Sequence, residues 1–255
     1  NLLTYSNTNQ LVPWTLLLNG TDFLKVNNLQ VQATGSVYAT ACGLTSGADY
    51  NTFTSCSFSC PITSTTNTLH YTFCISPNIN SPTSVGGNSG NNNLILNSQI
   101  YGGNYAVIAS GLSSLPYQQG NQIKGCNISD FFFYGIYWNN QYYSNLINNT
   151  IERPNRTILN TSFIGIFIQG CQGTMIDGNL IQKPFEQNQT MTSQVFPIYV
   201  YTNLNGNIFP PQNTVRNNII RNIKNNGTTY GIYANSPDGN IYHNTIILDY
   251  SGATN

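Results

Sequence analysis

The chain has 255 residues with only 6% charged, eight Lys and Arg balance eight Asp and Glu, and the pI is near 6.9. So neutral a surface excludes a nucleic-acid partner, which needs basic charge, and binding to anionic membranes. Forty Asn, with Ser and Thr at about 19%, put solubility on amides and hydroxyls, as in a secreted or surface-exposed protein, while 40% hydrophobic residues in strict register argue against disorder.

Residues 1–12 read as a short N-terminal cap or linker, and 13–255 as one repeat domain, part of a longer chain or assembly. Pro13 to Leu18 supplies a first short strand, Asn19 to Phe23 a polar turn, and then a compact unit begins: an apolar residue, a turn residue three positions on, a second apolar residue two further. It recurs as Leu24-Asn27-Leu29, Phe53-Cys56-Phe58, Ile95-Ser98-Ile100, Ile123-Cys126-Ile128, Leu146-Asn149-Ile151, Ile176-Asn179-Ile181, Val215-Asn218-Ile220 and Ile241-Asn244-Ile246. Asn27, Asn149, Asn179, Asn218 and Asn244 form an Asn-rich turn column, and the intervals between turn residues are 29, 42, 28, 23, 30, 39 and 26. The spacing is too short for a helical face. It suits two strands bent about a residue that tolerates left-handed backbone, as Asn does. Units of this kind bury their apolar faces by stacking on one another.

An opening strand precedes each unit: Leu16 to Leu18, Val37 to Ala41, Tyr71 to Ile75, Val107 to Ala109, Ile136 to Trp138, Ile166 to Ile168, Ile198 to Val200 and Ile232 to Ala234. The phrases NLINNTI, NTVRNNII and NIYHNTI, with the strand starts GIYW, GIFI and GIYA, make the chain resemble the right-handed parallel β-helix superfamily, which includes pectate lyases, polygalacturonases, phage tailspikes and surface adhesins. The resemblance runs from about Pro13 to Asp249. It implies an all-β fold, a single right-handed parallel β-helix of about eight coils, roughly 38 Å long at a strand spacing of about 4.8 Å. It implies no single function, because this scaffold carries unrelated activities.

Cys42 and Cys74, near the ends of adjacent opening strands, are candidates for one disulfide, and Cys56 and Cys60 for a second. Cys126 reads as a buried thiol and Cys171 as a turn residue. No CxxC pair or acidic cluster implies a metal, and no cofactor is expected. The excursion Ser76 to Asn93, rich in Pro, Gly, Ser and Asn, reads as a flexible surface loop, and His70 as a surface residue. Seven Asn-x-Ser/Thr sequons match the number chance gives for forty Asn; Asn155 and Asn160, in a loop, are the glycosylation candidates. No run approaches the roughly eighteen apolar residues of a transmembrane helix, so membrane insertion is not expected. The start at Asn1 and the end without another opening strand fit a processed or partial chain whose strand edges are covered by something else.

On the opening strands, Tyr38, Ile108, Tyr137, Phe167, Tyr199 and Tyr233 should point outward, with Tyr201 one step further on. Tyr137, Phe167, Tyr199, Tyr201 and Tyr233 are the candidate glycan-binding or interface residues, since aromatic faces pack on sugar rings; a self-stacked ladder is the alternative. No acid, Lys or Arg lies on these strands, so no catalytic residue is assigned, and Lys124, Asp177 and Arg216 on the following face read as an outward ion-pair row. The expectation is a non-enzymatic extracellular structural or adhesive protein, a fibre, spike or adhesin module at a cell or virion surface. Its partners would be itself, neighbouring surface proteins, or a polysaccharide. A polysaccharide lyase or glycoside hydrolase of the β-helix class is the alternative.

Overall fold

Runs of two to eight strand residues, separated by residues at positive φ, cannot extend into long strands, so each run must find its hydrogen-bond partners in the next repeat. The computed structural model describes residues 1–84, 87–159, 162–201, 211–235 and 239–248, and within them the chain is an all-β parallel β-helix of about eight coils, with no α-helix. Every coil contributes one strand to each of three parallel sheets. In the fifth coil these are Tyr134–Asn139 in the opening sheet, Asn145–Ile147 in the second and Thr150–Glu152 in the third. The opening and second sheets hold eight strands each among the described residues; the third holds nine, because Leu2–Tyr5 pairs in parallel with Gln30–Ala33.

Inward positions align coil on coil. Phe53, Ile95, Ile123, Leu146, Ile176 and Val215 form one buried column, and Val31, Phe58, Ile100, Ile128, Ile151, Ile181 and Ile220 another. β-Branched side chains, stiff at χ1, stack in such columns with little entropy to lose. Phe53 and Phe58 of the second coil and Phe73 of the third pack edge to face, with centroids 4.9–5.6 Å apart, and Trp138 closes the fifth coil. Truncating any one of these rings to alanine would cost about 3–5 kcal/mol.

Amides knit the bend between the second and third sheets. Asn149, Asn179 and Asn218 are buried, and each donates its backbone N–H and its Nδ2 to the Oδ1 of the next Asn, at 2.9–3.0 Å, ending on Asn244. Each Nδ2 also donates to a carbonyl of the preceding coil, as Asn179 does to Leu146 at 2.8 Å. Cys126 and Cys56 take the same place in their coils, their thiols reaching the equivalent carbonyls of Ile95 and Val26 at 3.6 Å.

Two expectations about this column are corrected. Asn27 is not in it: Val26 pairs with Phe53 and Val31 with Phe58, so Leu29 occupies the column and Asn27 is exposed. Nor does the column residue carry the left-handed backbone. The residue before it does, in all eight coils: Asn28, Ser55, Asn97, Gly125, Asn148, Gly178, Asn217 and His243, with φ between 48° and 67°. The bend thus divides its labour. One residue turns the chain, and the next sends its amide inward.

A second ladder, absent from the sequence reading, lies five residues earlier in the second to seventh coils. Asn51 donates to Asn93 Oδ1 at 3.1 Å and Asn93 to Asn121 Oδ1 at 3.2 Å; Asn121 donates to Gln141 Oε1 at 2.8 Å. Ser144, Thr174 and Asn213 continue the position, also buried.

Candidate functional site on the outer face of the opening sheet

Tyr137, Phe167, Tyr199 and Tyr233 lie in register on successive strands, as the sequence implies, and the column continues toward the N-terminus through Ile108, Cys74, Gly43 and Leu17. Gly43, not Tyr38, represents the second coil; Tyr38 pairs with Leu69 at the strand start.

A second aromatic column runs beside the first, formed by Tyr71, Tyr105, Tyr134, Ile164 and Phe196, with Tyr230 stacked on Phe196 at 4.8 Å and 9°. Strict alternation hides it, because the outward positions are three residues apart. Ala106 is packed in the core next to buried Val107, and a Cβ on Gly135 would lie 2.8 Å from the Ile151 side chain, so two consecutive residues face inward at this point of each strand. Such a local irregularity bends a strand and re-aims its side chains.

The rings of both columns touch. Tyr105 stacks on Tyr134 at 4.9 Å, Tyr134 meets Tyr137 at 5.1 Å, Phe167 meets Tyr199 at 4.9 Å and Tyr199 meets Tyr233 at 4.8 Å. Most of the tyrosines keep partial exposure. Burial raises the phenol pKa of Tyr105 to about 12 and lifts those of Tyr134 and Tyr137 as well, so these hydroxyls stay neutral donors and acceptors. Two residues beyond the Tyr137 column runs a polar row in register, Ser110, Asn139, Gln169, Tyr201 and Asn235.

Toward the N-terminus the same face is closed by the chain itself. Ile79, 4% exposed, sits on Cys74 and Ile108 in one apolar cluster with Leu17, and a Cβ on Gly43 would lie 3.2 Å from its side chain. Ser76 Oγ donates to Asn78 O and Pro82 O at 3.2 and 3.1 Å. The segment expected as a flexible loop is, over Ser76–Ser84, a docked cover anchored by one isoleucine.

Charged groups lie elsewhere. Asp177 and Arg216 form the expected pair on the second sheet at 2.9 Å, extended by Arg216 to the Tyr242 hydroxyl at 3.2 Å, which together raise the Arg216 pKa. Lys183 approaches Glu152 at 3.7 Å on the third sheet side. Arg153 is fully buried, donates to the carbonyls of Pro184 and Phe132 at 2.8 Å, and lies over the rings of Phe163 and Phe185 at 4.8 and 4.7 Å. Arg156, also buried, donates to Asp130 O at 2.8 Å and to Ser64 O; burial lowers its pKa to about 10, leaving it a cation at neutral pH. Neither arginine was singled out from the sequence, where the run ERPNR reads as a surface loop.

Two other expectations change. The predicted disulfides do not form: all six cysteines are free and buried, Cys42 pointing into the core and Cys74 out of the same sheet, while Cys56 lies in the bend column and Cys60 donates to the carbonyls of Ala39 and Tyr71. Burial raises the thiols of Cys42 and Cys74, those of Cys60 and Cys171 to about 12 and that of Cys126 to about 11, which keeps these five protonated and unreactive. His70 is buried within the strand Leu69–Ile75, its Nδ1 2.9 Å from Ser64 Oγ, and desolvation lowers its pKa to about 4. Asn155 is exposed and donates from Nδ2 to Asp130 Oδ2 at 3.0 Å; Asn160 lies outside the described residues. Among the described residues no three His, Cys, Asp or Glu side chains converge as a metal site would require.

No protein-family model matches the chain, and no curated protein matches it. Solved structures do. The A-module of the mannuronan C-5 epimerase AlgE6 from Azotobacter vinelandii aligns over 89% of this chain at 15% identity, with a TM-score of 0.52. This chain spans 65% of that structure's length. The Dettilon tailspike protein aligns over 90% of this chain and 61% of its own, at 11% identity and a TM-score of 0.34. Both are parallel β-helix proteins, and the likeness to the epimerase module supports the fold.

Proposed function

We propose that this chain is a non-enzymatic structural or adhesive β-helix module at an extracellular surface, a fibre, spike or adhesin of a cell or virion, whose contact face is the outer side of the opening sheet. The observation that carries the reading is how the side chains are distributed over the rod. The outer face of the opening sheet is an ordered surface of aromatic rings and amides, while the arginines and acids serve structure. Arg153 and Arg156 hold backbone carbonyls in the interior, and Asp177–Arg216 and Glu152–Lys183 pair on the other two sheets. A neutral surface rich in amides suits a body that must stay soluble and present one face. Location and assembly on the native particle, read by antibody labelling under the electron microscope, test it.

A second reading keeps one observation in its favour. The similar A-module belongs to an enzyme named for a polysaccharide, mannuronan. Under that reading this chain is a lyase or hydrolase, and the exposed Asp177–Arg216–Tyr242 cluster is the group to mutate first.

A further inference from the structure

We propose that the outer face of the four coils from Tyr134 to Asn235 binds an uncharged polysaccharide chain laid along the rod, with sugar faces on the two aromatic columns and hydroxyls on the polar row. The proposal rests on the adhesive reading above and gives that face its ligand.

The sequence changes character where the chain's own cover stops. Under Ile79 the first column reads Leu17, Gly43, Cys74 and Ile108, small or aliphatic groups that one isoleucine can seal, beside Tyr71 and Tyr105 of the second column. From the next coil onward the same column reads Tyr137, Phe167, Tyr199, Tyr233, and the neighbouring column adds Tyr134, Phe196 and Tyr230; Phe167 and Phe196 are buried, and the partly exposed tyrosines form the accessible surface. Aliphatic side chains would have sufficed for sheet stability there. Aromatic rings with hydroxyls suit a partner having both an apolar face and a polar edge, as a pyranose does.

The polar row fixes the partner's chemistry further. Asn139, Gln169, Tyr201 and Asn235 repeat once per coil, two residues from the ring column, at the pitch of the strands, about 4.8 Å; Asn139 is buried, so Gln169, Tyr201 and Asn235 supply the accessible donors and acceptors. An extended polysaccharide presents roughly one sugar in that length, so ring and amide recur in step with it. Charge decides which polysaccharide. Among the described residues the opening strands from Tyr134 on carry no Lys, Arg, Asp or Glu, and burial keeps Tyr134 and Tyr137 un-ionised. A polyuronate would surrender carboxylate hydration to a face with no cation to repay it. A neutral polymer surrenders little, and the rings, already ordered by packing on one another, lose little freedom on binding.

The test is affinity electrophoresis of the intact chain through gels holding hydroxyethyl cellulose, glucomannan or galactomannan, with polygalacturonate as the charged counterpart. The expected result is retardation by at least one neutral polymer, unchanged between low and high salt. Tyr199→Ala and Tyr233→Ala should each weaken it about tenfold, while Tyr199→Phe keeps most of it. Tyr201→Ala, at the edge of the face, guards against loss of fold, which thermal melting reads. The proposal is overturned by binding to polygalacturonate alone that fades with salt, by no retardation in any gel, or by alanine variants that bind as well as the parent. It is equally overturned if sedimentation shows the face closed in a dimer that Tyr199→Ala dissociates. Failure of surface labelling with neutral-polymer binding intact would count against the surface reading alone; the opposite pair of results would count against this proposal alone.

Discussion

Asn179 serves three coils at once. Its backbone N–H and Nδ2 both reach Asn218 Oδ1, its Nδ2 also reaches Leu146 O, and its own Oδ1 takes the N–H and Nδ2 of Asn149. Replacing it with alanine leaves two donors on Asn149 and one buried carbonyl unsatisfied. Asn179→Ala should therefore lower stability by about 3 kcal/mol or more, whereas Asn27→Ala, on the exposed side of the same bend, should change it by less than about 0.5 kcal/mol. Denaturant midpoints of the two variants check the contrast, and equal effects would contradict the register assigned here. His70 gives the pH dependence at this scale. Its folded pKa, about 4, is below the usual 6.5, so the folded state favours the neutral ring. The stability this contributes is fully present above about pH 6.5, falls as pH drops toward 4 and is gone below it, a loss of up to about 3 kcal/mol. His70→Gln should flatten that part of the stability-against-pH curve, as chemical denaturation at a series of pH values would show.

At the scale of the element, the docked cover makes a separate prediction. Ile79 buries one side chain worth about 2–3 kcal/mol against Leu17, Gly43, Cys74 and Ile108, and nothing else apolar in Ser76–Ser84 reaches the sheet cluster. Ile79→Asp should release the segment, opening a new proteolytic site between Ser76 and Ser84 while the far-ultraviolet β signal stays unchanged. An unaltered digestion pattern would deny the anchoring role.

The strands themselves were largely legible from sequence because inward residues repeat at fixed spacing and each coil checks the next. Slips came where the spacing fitted twice. Leu24 and Leu29 match the five-residue interval as well as Val26 and Val31 do, and only pairing with Phe53 and Phe58 decides. The second aromatic column stayed hidden for a different reason. Two inward residues in succession, as at Gly135 and Ile136, shift the phase of the strand, and alternation alone cannot see that. The cysteines misled because sequence distance along a coil says nothing about which side of a sheet a side chain leaves from. The second amide ladder was readable in principle, as a polar residue five before the bend position in the second to seventh coils.

Over the whole molecule, about eight coils share one continuous core, and its two buried arginines lie over phenylalanine rings and donate to backbone carbonyls. Solubility rests on amides and hydroxyls. The outer side of one sheet carries the features that could recognise a partner, and the account stands or falls on where that face is found. The most direct measurement is electron microscopy of native cells or virions labelled with antibody against this chain. The account predicts label on the exterior, over ordered projections containing the rod. Label confined to the interior, or a dispersed protein that degrades polysaccharide, would contradict it.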